Sequence, residues 1–175
     1  LKTSAKINPE LVDQLSIFAT ITLFPLTIFA GWLSDRVGRK PIVLSGIIIG
    51  AIFIYPAFQL LQLLGEAYSK TSSFGALLGI EAILITLSFS LGFVVGPQTA
   101  LLAELFPAKN RNSAATIPHN LAAGWVGGML PLIVSWLNQS WGNSLVGLLY
   151  PTFFLWSAAA VFFFYLPETS LNNLN

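Results

Sequence analysis

Gly31-Trp32-Leu33-Ser34-Asp35-Arg36-Val37-Gly38-Arg39-Lys40-Pro41 holds four of the fifteen charged residues of the chain, eight of which are Lys or Arg and seven Asp or Glu. An apolar run beginning at Leu15 precedes it and another beginning at Ile42 follows it, so the stretch reads as a short polar turn between two membrane spans. A turn this tight sets the two spans side by side. Gly38 tolerates the positive φ that such a turn calls for, and Pro41 suits the first turn of a new helix, where its missing N–H would have no partner in any case. Asp35 is placed to pair with Arg39 or to accept from a backbone amide.

The rest of the composition agrees with that reading. Of 175 residues, 55% are hydrophobic and 9% charged, and the mean hydropathy is +0.76. That much apolar surface cannot be hidden inside one soluble core of this size, so the chain is expected to be an all-α integral membrane protein whose first partner is lipid. A net charge of +1 with no basic stripe excludes nucleic acid as a partner class. The chain has no cysteine, which excludes disulfides, thiolate metal sites and cysteine nucleophiles. No zinc spacing, phosphate loop, nucleophile elbow or pair of catalytic carboxylates is present, so no enzyme, cofactor or metal is expected.

Five apolar stretches are long enough to cross a bilayer, at residues 14–33, 42–64, 74–105, 113–137 and 145–166. Residues 1–13 are too polar to span and are expected to form a loop. They lack both an initiating Met and the layout of a signal peptide, so the chain is expected to start inside a longer protein, the alternative being a different start site or a processed terminus. The first span carries Pro25, with Thr20, Thr22 and Thr27 available to satisfy freed backbone groups. The second holds Gly46-x-x-x-Gly50 and a kink signal at Tyr55-Pro56, and a polar loop with Glu66 and Lys70 follows it at 65–73. The third, with Gly75-x-x-x-Gly79 and Gly92-x-x-x-Gly96, is long for one span. It is read as a tilted helix broken near Pro97, the alternative being a helix whose end extends beyond the membrane. The fourth holds Pro118, Gly124-x-x-x-Gly128 and Pro131. After an uncharged turn at 138–144, flanked by Trp136 and Trp141 at headgroup level, the fifth presents phenylalanines that are expected to face lipid.

Charge sets the expected orientation. The two loops on one side carry Arg36, Arg39, Lys40, Lys109 and Arg111, against Lys70 in the loops opposite, and the balance survives the addition of Lys2 and Lys6. The side bearing Asp35 and Arg111, together with the C-terminus, is therefore expected to be cytoplasmic, as in a multi-pass protein of the inner cell membrane.

Gly31, Leu33, Ser34, Asp35, Arg36, Gly38, Arg39 and Lys40 match every specified position of G-x-L-[AS]-D-R-x-G-R-[RK], and the stretch resembles the cytoplasmic loop motif of the major facilitator superfamily. The run from Gly96-Pro97-Gln98 to Glu104-Leu105-Phe106-Pro107, followed by Arg111, resembles the tenth span of that superfamily's metabolite:proton symporter branch. That branch includes carriers for proline and betaine, 2-oxoglutarate, citrate and shikimate. Residues 122–133 look like span 11, and Pro167-Glu168-Thr169 resembles the cytoplasmic end of span 12. The resemblance implies spans 8–12 of a twelve-span major facilitator fold, with span 7 and the N-terminal half of the transporter missing. It further implies transport of a small organic solute with a proton, by alternating access. The alternative function is a non-transporting membrane protein, either an inert remnant of a split transporter gene or a small interaction module. Pro118-His119-Asn120 departs from the Gly-Tyr-Gln usual in early span 11, and Ala114 replaces a common Gly.

Four side chains are candidates for the solute or proton cavity. Glu81 is a carboxylate within a span, where ionisable groups face a cavity or a partner, and it is either a proton or substrate contact or an interfacial residue near the helix end. His119 is suited to titration near neutrality or to hydrogen-bonded packing. Gln98 and Asn120 can orient a polar solute or bond between helices. Glu104, near the charged surface, is expected to pair with Lys109 or Arg111.

Overall fold

The computed structural model describes residues 9–106, 111–143 and 145–169. Three long helices come first: α1 (Pro9–Val37), α2 (Arg39–Thr71) and α3 (Phe74–Leu105). They are followed by α4 (Arg111–Leu121), a π-helical segment (Ala122–Gly127), α5 (Gly128–Trp141), a 3-10 turn (Val146–Leu148) and α6 (Leu149–Tyr165). Five of the resulting rods are long and apolar enough to cross a membrane, the fourth running from His119 to Trp141 through the π segment. The chain is an all-helical membrane protein.

The turns are shorter than the hydropathy pattern suggests. The expected loop at 1–13 is helical from Pro9, and the expected polar loop at 65–73 continues α2 to Thr71. The α1–α2 connection is Gly38 alone, with Arg39 and Lys40 already in the first turn of α2. Hydropathy marks where a helix leaves the hydrocarbon, whereas backbone hydrogen bonding carries it further, because each added turn satisfies its own N–H and C=O groups. Gly38 has φ 120° and ψ 152°, a conformation open to glycine, and its N–H donates to the Ser34 carbonyl at 3.1 Å.

Prolines do not break the long helices. α3 is continuous through Pro97, contrary to the expected break, because Pro97 is fully buried between neighbouring helices whose packing holds the helix across one lost hydrogen bond. The Thr20, Thr22 and Thr27 hydroxyls donate to the Ser16, Phe18 and Phe24 carbonyls. None reaches the Ile21 carbonyl, the one that Pro25 deprives of its N–H. The irregularity falls instead in the fourth rod, at Ala122–Gly127, where the i→i+5 turns of a π helix accommodate a run whose Gly124 and Gly127 have no neighbour within 4 Å, and where the Tyr150 hydroxyl of α6 donates to the Val126 carbonyl at 3.3 Å.

The bundle is organised around the α2–α3 pair, with α1 against α3 and α6 against α2. Two of the small-residue motifs create these contacts. A Cβ on Gly46 would lie 2.9 Å from both the Phe93 Cβ and the Ser90 carbonyl oxygen, and the Ser90 hydroxyl donates to the Gly46 carbonyl across the interface at 2.8 Å. A Cβ on Gly96 would lie 2.4 Å from the Thr27 carbonyl oxygen of α1. Glycine is required at both places by backbone approach. Gly124 and Gly127 meet nothing within 4 Å. Apolar clusters extend along the seam, from Val12, Leu15, Leu61 and Ile80 at one end to Ala30, Ile42 and Phe93 toward the charged turn. Val43 and Ile47 of α2 pack on Ala159 of α6, whose Phe153, Phe163 and Phe164 are exposed, as a lipid-facing surface requires.

Candidate functional site

The charged turn condenses into a polar knot. Arg39, at the start of α2, is 9% exposed and directs its guanidinium to three groups. Nη1 lies 2.5 Å from Asp35 one turn back on α1 and donates to the Ser34 hydroxyl at 2.6 Å. Nε and Nη2 both donate to Glu104 Oε1, at 3.2 and 3.1 Å. The other Glu104 oxygen accepts from the Thr169 hydroxyl at 2.5 Å. Ser34 is fully buried and its hydroxyl donates a hydrogen bond to the Gly31 carbonyl at 2.7 Å. Asp35 is 59% exposed at its side chain, against 18% for Glu104, so the Arg39–Glu104 pair is the desolvated one.

The segment after α6 closes the knot from the opposite side. The Glu168 carboxylate accepts from the backbone N–H groups of Arg39 and Lys40 at 2.8 and 3.2 Å, and from that of Thr169 at 3.1 Å. The first amides of a helix have no intrahelical acceptor, and Gly38 has no side chain with which to cap them. Glu168 therefore does the work of an N-cap from 130 residues downstream, with its charge at the positive end of the α2 dipole. Space for it exists because position 38 has no Cβ: one placed there would lie 2.6 Å from Glu168 Oε2. Lys40 Nζ donates to the Phe163 carbonyl in the last turn of α6 at 2.9 Å. Arg36 points away and stacks on the Trp32 ring at 4.1 Å. The ends of α1, α2, α3 and α6 are thus joined by charge-assisted hydrogen bonds around Arg39 and Glu168.

The remaining candidates do not form one site. Glu81 and Gln98 lie on the same helix seventeen residues apart, about 26 Å at 1.5 Å per residue. Glu81 lines a cavity of 360 Å³ between α1 and α3. Gln98 lines a separate, mainly apolar cavity of 610 Å³ bounded by α2, α3 and α6, and its Nε2 lies 3.4 Å from His119 Nδ1, linking α3 to α4. Asn120 faces an open groove with Trp125 and Met129. The pairing expected of Glu104 with Lys109 or the Arg111 side chain falls outside the described residues. Among the described residues, no group of three His, Asp or Glu side chains could hold a metal ion.

Sequence reasoning missed the role of Glu168, Thr169 and Ser34. One signal was present: Glu168 is the sole Asp, Glu, Lys or Arg after Arg111. A lone charge at the end of an uncharged 56-residue run needs a partner, and α2 begins without an N-capping side chain.

A family model described as "sugar (and other) transporter" matches residues 4–175. The ectoine/proline transporter ProP of Corynebacterium glutamicum is 32% identical over 142 residues, covering 81% of this chain and 26% of that protein. The proline/betaine transporter of Escherichia coli is 31% identical over 131 residues, with 75% and 23% covered. The citrate-proton symporter of Klebsiella pneumoniae is 28% identical over 113 residues, with 65% and 23% covered. The chain spans about a quarter of the length of these relatives. No solved structure matched it.

Proposed function

The chain belongs to the sugar (and other) transporter family of the major facilitator superfamily, and on that premise we propose that it supplies spans 8–12 of a proton-coupled symporter for a small organic solute. The solute class is an organic acid or a zwitterionic osmolyte of the proline or betaine type, and the mechanism is alternating access against the partner half. The observation that carries this reading is the knot around Arg39. A folded helical bundle does not need four helix ends fastened at one surface by a desolvated ion pair and charge-assisted hydrogen bonds, whereas a bundle that rocks as a unit does, because its helices must move together. Similarity to proline/betaine and citrate-proton carriers supports the solute class. The site residues proposed for the solute are Gln98 and His119, whose side chains meet between α3 and α4, with Asn120 proposed as a second contact from its own groove on α4.

The test is uptake by the complete reading frame that contains these residues, in bacteria lacking their own proline, betaine and citrate carriers. Saturable uptake of one of these solutes, abolished by a protonophore, is the expected result. Membrane-inserted protein with no uptake of any of them would overturn the reading.

Orientation is part of the same proposal, with the knot and the C-terminus facing the cytoplasm. Ser34 is too deeply buried to report on it, but Val37 is 57% exposed and Ser140 is exposed on α5. A Val37→Cys variant should react with a membrane-impermeant maleimide only after the cells are opened, and a Ser140→Cys variant in intact cells. The reverse pattern would invert the topology.

A further inference from the structure

α3 carries two carboxylates with opposite fates. Glu104, at the end near the charged turn, has both oxygens occupied by Arg39 and Thr169. Glu81, seven residues in from the other end, has Oε2 buried and without any hydrogen-bond partner among the described residues. It borders the 360 Å³ cavity between α1 and α3, whose walls are otherwise leucine, isoleucine and phenylalanine, with Gln14 and Thr22 the remaining polar members. The Thr22 hydroxyl hydrogen is already committed to the Phe18 carbonyl at 2.9 Å, so it cannot be donated to Glu81.

We infer that this cavity is a proton site, in which the Glu81 carboxyl is the group that takes up and releases the proton. The inference rests on the proton-coupled reading above and names the residue that would serve it. A carboxylate in an apolar cavity with no cationic neighbour is satisfied by a proton more readily than by anything else the walls supply. A hard cation such as Ca²⁺ or Mg²⁺ takes about six oxygen ligands, and the cavity offers those of Glu81, Gln14 and Thr22 alone. No other titratable side chain lines it. Of the elements packed against this end, α2 contributes Tyr68 to the adjoining cluster and carries Glu66 and Lys70 on its exposed surface, while α1 carries Glu10 and Asp13 on exposed turns.

Depth also fits. The 32 residues of α3 extend about 48 Å, so with the helix centred in a hydrocarbon layer of about 30 Å, Glu81 lies near the edge of that layer, about 10 Å from the first residue of α3. A proton arriving from the surface opposite the knot meets this carboxyl before it meets the Gln98–His119 pair. The bond chemistry is a reversible transfer, in which a water or hydronium O–H breaks as the carboxyl O–H forms.

The test is infrared spectroscopy of the whole chain in lipid nanodiscs as pH is varied, reading the C=O stretch of protonated carboxyls, with helix content checked by circular dichroism. Wild type should show a protonated-carboxyl component that titrates separately from the exposed acids. Glu81→Gln, which keeps the size and removes the proton, should lose that component completely, and Glu81→Asp should retain it at a shifted frequency. Identical carboxyl spectra for wild type and Glu81→Gln at equal helix content would overturn the assignment, as would its absence in Glu81→Asp. Failure of uptake in the bacterial assay leaves the infrared component in place, so the two readings fail separately.

Discussion

Arg39→Ala should lower the unfolding free energy of the bundle by about 3 kcal/mol, the scale for removing one partner of a desolvated ion pair. The loss is large because of what stays behind. Glu104 keeps the Thr169 hydroxyl but loses both guanidinium bonds at a site where its side chain is 18% exposed, and Ser34 loses its donor in a fully buried position. Asp35→Asn should cost less than about 1 kcal/mol, since the Asp35 side chain is 59% exposed and water replaces the ion pair. Glu168→Ala should fall between them at about 1 to 2 kcal/mol, as the loss of a helix cap does. It should also speed hydrogen exchange at the Arg39 and Lys40 amides, which lose their acceptor. Denaturant titration in detergent micelles, followed by circular dichroism, checks the ranking. Equal effects for Arg39→Ala and Asp35→Asn would mean that the knot is solvated and the Arg39–Glu104 pair is not its centre.

Gly96→Val should be comparably damaging, at about 3 kcal/mol, through overpacking. A Cβ at 96 would meet the Thr27 carbonyl oxygen at 2.4 Å and the Gly31 N at 3.0 Å. Both obstacles are backbone, so no rotamer change relieves the clash and α1 must move away from α3. That separation would also strip cover from Ala30 and Phe93, beside the charged turn. Gly124→Ala is the contrasting substitution, since nothing lies within 4 Å of Gly124. There the change should be neutral or stabilising by up to about 1 kcal/mol, because alanine favours helix over glycine. Equal destabilisation by the two variants would show that the α1–α3 crossing is not set by contact at Gly96.

The motif Gly31–Lys40 and the Pro167–Thr169 segment were both legible as patterns, but their meeting was not. Asp35 and Arg39 are four residues apart across a turn, so their pairing could be read from spacing. The Arg39–Glu104 and Glu168–Arg39 contacts join residues 65 and 129 positions apart, and no periodicity encodes a distance of that kind. In the same way the four G-x-x-x-G motifs look equivalent in one dimension. Those at Gly46 and Gly92 bring backbones together, whereas Gly124 faces open space, and the neighbours supplied by the fold make the difference.

What the sequence by itself determined is the membrane character, the number of spans and the tight turn that joins the first two. These follow from hydropathy over about 20 residues and from one tight glycine turn, both of which are local. The fold packs both of the first two spans mainly on α3. Tertiary structure alone decided where the irregular helix lies, which carboxylate is neutralised and which is left with a bare oxygen. Pro97 is buried among neighbouring helices and α3 stays continuous through it, whereas the fourth rod, with nothing within 4 Å of Gly124 or Gly127, widens into a π helix. Glu81 and Glu104 are the same residue on the same helix. Arg39 and Thr169 arrive from distant parts of the chain to satisfy one of them, and α1 sets a mainly apolar wall beside the other, because the free energy of a buried charge depends on what the fold sets beside it.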